Sequence, residues 1–221
     1  MDQVSVTKLN PITNIDPLNK SFHILWLIDK RCNFDCSYCP DRWHSKPEEE
    51  PVKLETMKSA WKKIIKATKN HQFKTYDVCL QGGEPTINKD FLPFVTWLNE
   101  NYSDRISNIG SITNGTASVS YYEKLIKRLD WITFSVHTEF MNEKKFFDTV
   151  LKVDRLSKLN NKRCLVNVNI MNEPWNLERV KKYQSFLNKH DILNYLHPIH
   201  DFRENKKQYP IKLTNKFNFN D

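Results

Sequence analysis

"FHILWLIDKRCNFDCSYCP" (residues 22–40) runs a mostly apolar segment directly into three cysteines. The segment Phe22 to Asp29 is short, apolar and rich in aromatic and branched residues, as a buried strand is. Cys32 and Cys36 are separated by three residues, and Cys36 and Cys39 by two. A loop that follows a strand and carries three thiols at this spacing can wrap one face of a compact metal centre.

Outward from this loop, apolar runs and amphipathic stretches alternate. Residues 53–69 place Leu54, Met57, Trp61, Ile64 and Ile65 at helical spacing. The sequence predicts strands over 75–81, 106–113, 130–137, 163–171 and 192–200, with helices over 89–102, 118–129, 142–159 and 176–190 between them. Pro93 requires a place in the first turn of its helix. Strands alternating with helices of this length imply right-handed crossovers and a parallel sheet. Six units fall short of a closed barrel of about eight. The expected sheet is therefore an open, partial barrel or a doubly wound one. In either case functional loops follow the C-terminal ends of the strands. The expected organisation is an N-terminal extension (1–21), a core domain (22–200) and a C-terminal tail (201–221).

The chain has 221 residues, 39% of them hydrophobic, with six Trp and thirteen Phe. That is globular material, sufficient for one sizeable core. No run approaches the ~18 apolar residues of a membrane span, and the N-terminus lacks a basic-then-apolar signal. A soluble, cytoplasmic protein is expected. Net charge is +8, but lysine is spread along the chain without a basic stripe interleaved with aromatics. Nucleic-acid binding is not the first expectation. Five cysteines, three of them clustered, suit a metal or redox role in a reducing compartment better than a disulfide scaffold. Cys79 and Cys164 sit in apolar runs and read as small buried hydrophobes.

A structural zinc site needs four protein ligands. Drawing the fourth from Cys79, Cys164 or His44 is strained, since the first two lie in predicted strands. A [4Fe–4S] cube held by three cysteines leaves one iron without a protein ligand, a position open to substrate or cofactor. The loop after the second strand reads Gln81-Gly82-Gly83-Glu84-Pro85, using two of only four glycines side by side. Adjacent glycines admit positive φ and close approach to a ligand, and Glu84 supplies a carboxylate. The loop after the third strand reads Thr113-Asn114-Gly115, a turn signal with two polar side chains.

These three loops, in this order, resemble those of the radical SAM superfamily. The resemblance covers roughly residues 22 to 200 and implies a partial (β/α)6 TIM barrel. It implies that Cys32, Cys36 and Cys39 hold a [4Fe–4S] cluster whose open iron chelates S-adenosylmethionine (SAM). Reductive cleavage of SAM would then give a 5′-deoxyadenosyl radical that abstracts hydrogen from a substrate. By position, Tyr38 matches the family's aromatic near the adenine, and Gly82, Gly83 and Glu84 match the segment that meets the methionine amino group. Thr113 and Asn114 match a region near the ribose and carboxylate. Ser135 matches a position reaching the ribose hydroxyls, and Asn169 a polar residue facing the nucleoside. An electron donor such as a flavodoxin or ferredoxin is implied as partner.

Polar groups at later strand ends are the candidates for substrate contact and catalysis: His137, Glu139, His197 and His200. Period-two alternation puts Ser135 and His137 on one face, and Asn167 and Asn169 on one face. The expected function is an enzyme acting on a small organic or nucleotide-like substrate. An alternative is an activase or maturase acting on a peptide or protein partner, and another is a non-catalytic cluster or zinc scaffold. No cysteine follows Cys164, so the auxiliary-cluster domain of many peptide-modifying members is not expected.

Overall fold

The structure is a computed structural model, and it describes residues 21–39, 48–71, 73–160, 164–172 and 176–199. Six strands alternate with five helices: β1 (Ser21–Asp29), α1 (Leu54–Thr68), β2 (Thr75–Gly82), α2 (Phe91–Tyr102), β3 (Ile106–Thr113), α3 (Val119–Ile126), β4 (Trp131–Val136), α4 (Glu143–Leu159), β5 (Leu165–Asn172), α5 (Leu177–Lys189) and β6 (Leu193–Pro198). One 3-10 turn (Pro85–Ile87) lies between β2 and α2.

All five strand pairings are parallel, and the strand order is β1-β2-β3-β4-β5-β6. The order never reverses, so the sheet is singly wound. This selects the partial barrel over the doubly wound alternative. Because β1 and β6 are not paired with each other, the barrel is open between them.

Local chemistry sets the helix ends. The side chain of Ser118 accepts the N–H of Tyr121 at 3.2 Å before α3, and Asn142 accepts the N–H of Lys145 at 3.0 Å before α4. Both are N-caps that satisfy donors with no partner inside the helix. Pro93 falls in the first turn of α2, where its missing N–H removes no helical bond.

The core lies between the outer face of the sheet and the helices. Tyr76, Val78 and Leu80 of β2 alternate outward into it, against Trp61 of α1 and Phe91, Phe94 and Leu98 of α2, all at most 1% exposed. Alternation sends the other residues of each strand to the concave face. Cys164 is buried as expected, whereas Cys79 is only half-buried. Cys79 shares the concave face with Gln81, and partial burial beside Asp77 pushes its thiol up to about 11. Among the described residues, no helix is long and apolar enough to cross a membrane. The core domain expected over 22–200 contains every described element except the first residue of β1. The tail 201–221 lies outside the described residues.

Candidate functional site

The cysteine loop begins where β1 ends, and a buried polar knot anchors its root. Asp29 accepts the backbone N–H of Arg31 at 3.0 Å and the guanidinium Nη2 of Arg31 at 3.0 Å. Asn88, fully buried behind them, donates to Asp29 at 2.8 Å and to the Val52 carbonyl at 2.8 Å. A buried ion pair is tolerated when its remaining polar sites are bonded, as here.

The two glycines at the end of β2 have a steric reason different from the positive φ they permit; among the described glycines only Gly115 has positive φ, at 78°. Gly83 donates its N–H to the Asp29 carbonyl at 3.0 Å, and Glu84 donates to the Arg31 carbonyl at 2.8 Å. A Cβ on Gly82 would stand 2.0 Å from the Asp29 carbonyl oxygen, and one on Gly83 would stand 2.3 Å from that of Arg31. The close approach that needs glycine is therefore to the root of the cysteine loop.

Glu84 is 0% exposed. Its Oε1 accepts from the Thr86 N–H (3.0 Å), the Thr86 hydroxyl (2.6 Å) and the Thr113 hydroxyl (2.8 Å). Its Oε2 accepts the Asn114 N–H at 2.5 Å. Burial pushes its pKa up, and these four donors pull it back down. The carboxylate thus ties the β2 loop to the β3 loop. Asn114 in turn accepts from the Thr116 N–H (3.2 Å) and hydroxyl (2.7 Å) and donates to Asn33 Oδ1 at 2.8 Å. Its amide also lies 4.0 Å from the Cys32 sulfur, which accepts the Phe34 N–H at 3.3 Å.

Cys32, Cys36 and Cys39 border one cavity of about 430 Å³ at the C-terminal ends of the strands. Gly82, Gly83, Thr113 and Asn114 form its wall on one side, and Ser135 and Asn169 part of its floor. Ser135 and Asn169 are register partners across β4 and β5, so parallel pairing puts both on the concave face. Tyr38, His137 and His197 complete the predicted residues that line it. Glu84 lies behind the wall and Glu139 beyond the lining, while His200, His44 and Trp43 lie outside the described residues. Asn167 is occupied by the Thr133 hydroxyl at 2.7 Å.

His137 sits between aromatic neighbours, stacked on Tyr38 at 6.0 Å and meeting Phe34 edge-on at 6.1 Å. Its Nδ1 is 2.9 Å from the Tyr38 hydroxyl. Removal from water, with His197 nearby adding repulsion, pushes its pKa down to about 4. The ring is neutral at neutral pH. Leu25, Phe34, Gln81, Ile112 and Met171 also line the cavity and were not singled out by sequence. Their strand alternation with Cys79 and Asn169 was the available signal for Gln81 and Met171.

The thiols fit a polynuclear group. They surround a cavity and are close enough that Cys32 and Cys39 both act on Cys36, whose thiol burial pushes up to about 12. Among the described residues no group of three or more His, Cys, Asp or Glu forms a ready-made ion site. Ligand thiols must lose their protons, so a positively charged group that replaces them suits this pocket.

A GTP 3′,8-cyclase of Haemophilus influenzae (strain 86-028NP) is 26% identical over 203 residues, covering 85% of this chain and 55% of that protein. A GTP 3′,8-cyclase of Pasteurella multocida (strain Pm70) is 33% identical over 102 residues, covering 46% of this chain and 28% of that protein. The chain spans about half the length of the first of these relatives. The solved structure of BtrN in complex with AdoMet and 2-DOIA aligns with a TM-score of 0.45 at 18% identity, over 70% of this chain and 58% of that one. The model of the radical SAM superfamily matches residues 27–171, more than half of the chain and every cavity-lining loop from β1 to β5. The chain is an enzyme of the radical SAM superfamily, whose members use a [4Fe–4S] cluster and S-adenosylmethionine.

Proposed function

We propose that Cys32, Cys36 and Cys39 hold the [4Fe–4S] cluster, that SAM occupies the adjoining cavity, and that a small organic or nucleotide-like substrate loses a hydrogen atom there. Such a group, when bound and reduced, would supply the electron that splits SAM into methionine and the 5′-deoxyadenosyl radical that would take this hydrogen. The observation that carries the reading is the shared cavity: three thiols, the Gly82–Gly83 backbone, Asn114, Ser135 and Asn169 all border it.

The chain's own part is binding and orientation. Gly82 and Gly83 border the cavity, and by position they face the methionine end of SAM. Glu84 is saturated by four donors, so its role is to set the two loops rather than to receive the amino group. Ser135 and Asn169 offer neutral polar groups to the ribose, and Tyr38 an aromatic face to the adenine. His197 and Met171, further along the floor, face the space left for substrate. Leu25 and Ile112 add apolar lining to this space.

The named activity of the relatives puts purine nucleotides first among substrates to try. A flavodoxin or ferredoxin serves as electron donor, and a cytoplasmic, reducing setting suits the thiols. The test is anaerobic reconstitution with iron, sulfide, dithionite and SAM. Formation of 5′-deoxyadenosine that disappears in Cys36→Ala supports the reading. A loaded protein that binds SAM and yields none overturns it.

A further inference from the structure

Beyond β4, two side chains turn toward the cysteine loop. The Glu139 carboxylate accepts the Ser37 N–H at 2.6 Å through Oε2 and the Ser37 hydroxyl through Oε1. The Tyr38 hydroxyl meets His137 Nδ1 at 2.9 Å. Phe34 completes the seam, edge-on to His137 and stacked on Phe140 at 5.7 Å. Ser37 and Tyr38 lie between Cys36 and Cys39, and the Cys39 N–H closes a turn onto the Cys36 carbonyl at 2.9 Å. The strand-four loop therefore grips the stretch that carries two of the three thiols.

Three ligands on one short loop bind a rigid group well only if the loop is already shaped for it. Ordering each residue costs conformational entropy, and that cost is otherwise deducted from the affinity for the group. Contacts that pre-shape a ligand loop lower it.

We infer that Glu139 and His137 are positioning residues that hold the cysteine loop in its ligand-ready shape, Glu139 by clasping Ser37 and His137 by fixing Tyr38. This rests on reading the cysteines as cluster ligands. It turns two residues otherwise expected to face substrate toward the cofactor instead. The inference also has an electrostatic side. Glu139 is close enough to Cys36 for its negative charge to act on that sulfur. Its charge opposes electron uptake by a cluster bound there, so its loss shifts the reduction potential upward. A contact that only supported the fold would not do so.

The test uses the full chain in two states. In the metal-free chain, hydrogen exchange is read at the Ser37 amide. Glu139→Ala speeds exchange there about tenfold, Glu139→Gln less because its carbonyl still accepts one bond, and the β4 amides keep wild-type protection. In the reconstituted protein, iron loss to a chelator is about tenfold faster in Glu139→Ala, and the potential rises in both Glu139 variants. His137→Leu loses iron faster, while His137→Gln, which retains an acceptor for Tyr38, stays near wild type. Unchanged Ser37 exchange in Glu139→Ala, or unchanged iron loss and potential across the Glu139 variants, overturns the inference. Failure of the wild-type chain to take up iron overturns the cluster reading, and Ser37 exchange then still decides whether the clasp exists.

Discussion

The Asn114 N–H reaches Glu84 Oε2 across 2.5 Å, joining the loops that follow β2 and β3 through one buried carboxylate. Because Asn114 also bonds Asn33 in the cysteine loop at 2.8 Å, three successive strand-end loops are linked in series. The wall of the cavity is thus a hydrogen-bonded unit, and a change at Glu84 propagates to the residue next to Cys32.

Glu84→Gln should expose this dependence. The amide has one acceptor where the carboxylate has two, and its NH2 would face groups that donate. One donor is left unsatisfied in a site with no access to water. The expected loss is about 2–3 kcal/mol of unfolding free energy, read as a lower urea midpoint with an unchanged slope. A midpoint equal to wild type would mean that the four donors find other partners.

Gly83→Ala tests the contact between β2 and the root of the cysteine loop. The added methyl would stand 2.3 Å from the Arg31 carbonyl oxygen and 2.5 Å from that of Lys30, both backbone atoms that cannot swing aside. Overpacking of this kind costs about 1–3 kcal/mol. Movement of Arg31 also displaces Cys32, so iron uptake on reconstitution should fall with stability. Iron content at wild-type level in a destabilised Gly83→Ala chain would separate the two effects and refute the coupling.

Much of this arrangement was legible in the sequence because it follows from periodicity and spacing. The β3 bounds agree with the periodicity, and the helices expected to start at Ser118 and Asn142 start one residue later, with those residues as N-caps. The three cysteines and two glycine loops fall at strand ends, where a parallel sheet gathers them. The direction of individual side chains was not legible. Glu84 looked like a ligand for an ammonium group because a carboxylate beside glycines has that chemistry. Its actual partners, Thr86, Thr113 and Asn114, are set by how two loops meet. Glu139 and His137 likewise read as substrate contacts from their place at a strand end, while their bonding partners come from a loop about a hundred positions earlier. Strand order was the other open choice, since alternating elements fit both the singly and the doubly wound sheet.

Ser135→Ala and Asn169→Ala should separate SAM binding from cluster assembly. Among the described residues neither is hydrogen-bonded to the cysteine loop, and both line the cavity. Each substitution removes a neutral hydrogen-bonding group worth about 0.5–1.5 kcal/mol. SAM affinity of the reconstituted protein should fall up to about tenfold for each, with iron content unchanged. Equilibrium binding of SAM under anaerobic conditions measures this. Affinities at wild-type level for both variants would move the nucleoside away from the β4–β5 floor.

The protonation of His137 gives the metal-free chain a specific pH response. Its pKa is depressed from 6.5 to about 4 in the folded state, so between these values the unfolded chain binds more protons. Stability from this residue is fully present above pH 6.5 and is lost as pH falls toward 4. A single group contributes a slope of at most about 1.4 kcal/mol per pH unit. His197 and Tyr38 line the same cavity as the ring, and of these His197 opposes its protonation. His137→Gln keeps an acceptor for Tyr38 but cannot titrate, so the difference between wild-type and variant unfolding free energies should change across this window. The wild type loses ground to the variant as the solution is acidified. Urea denaturation at a series of pH values from 4 to 7 reads the difference directly, and parallel curves would show that the imidazole is hydrated in the folded chain.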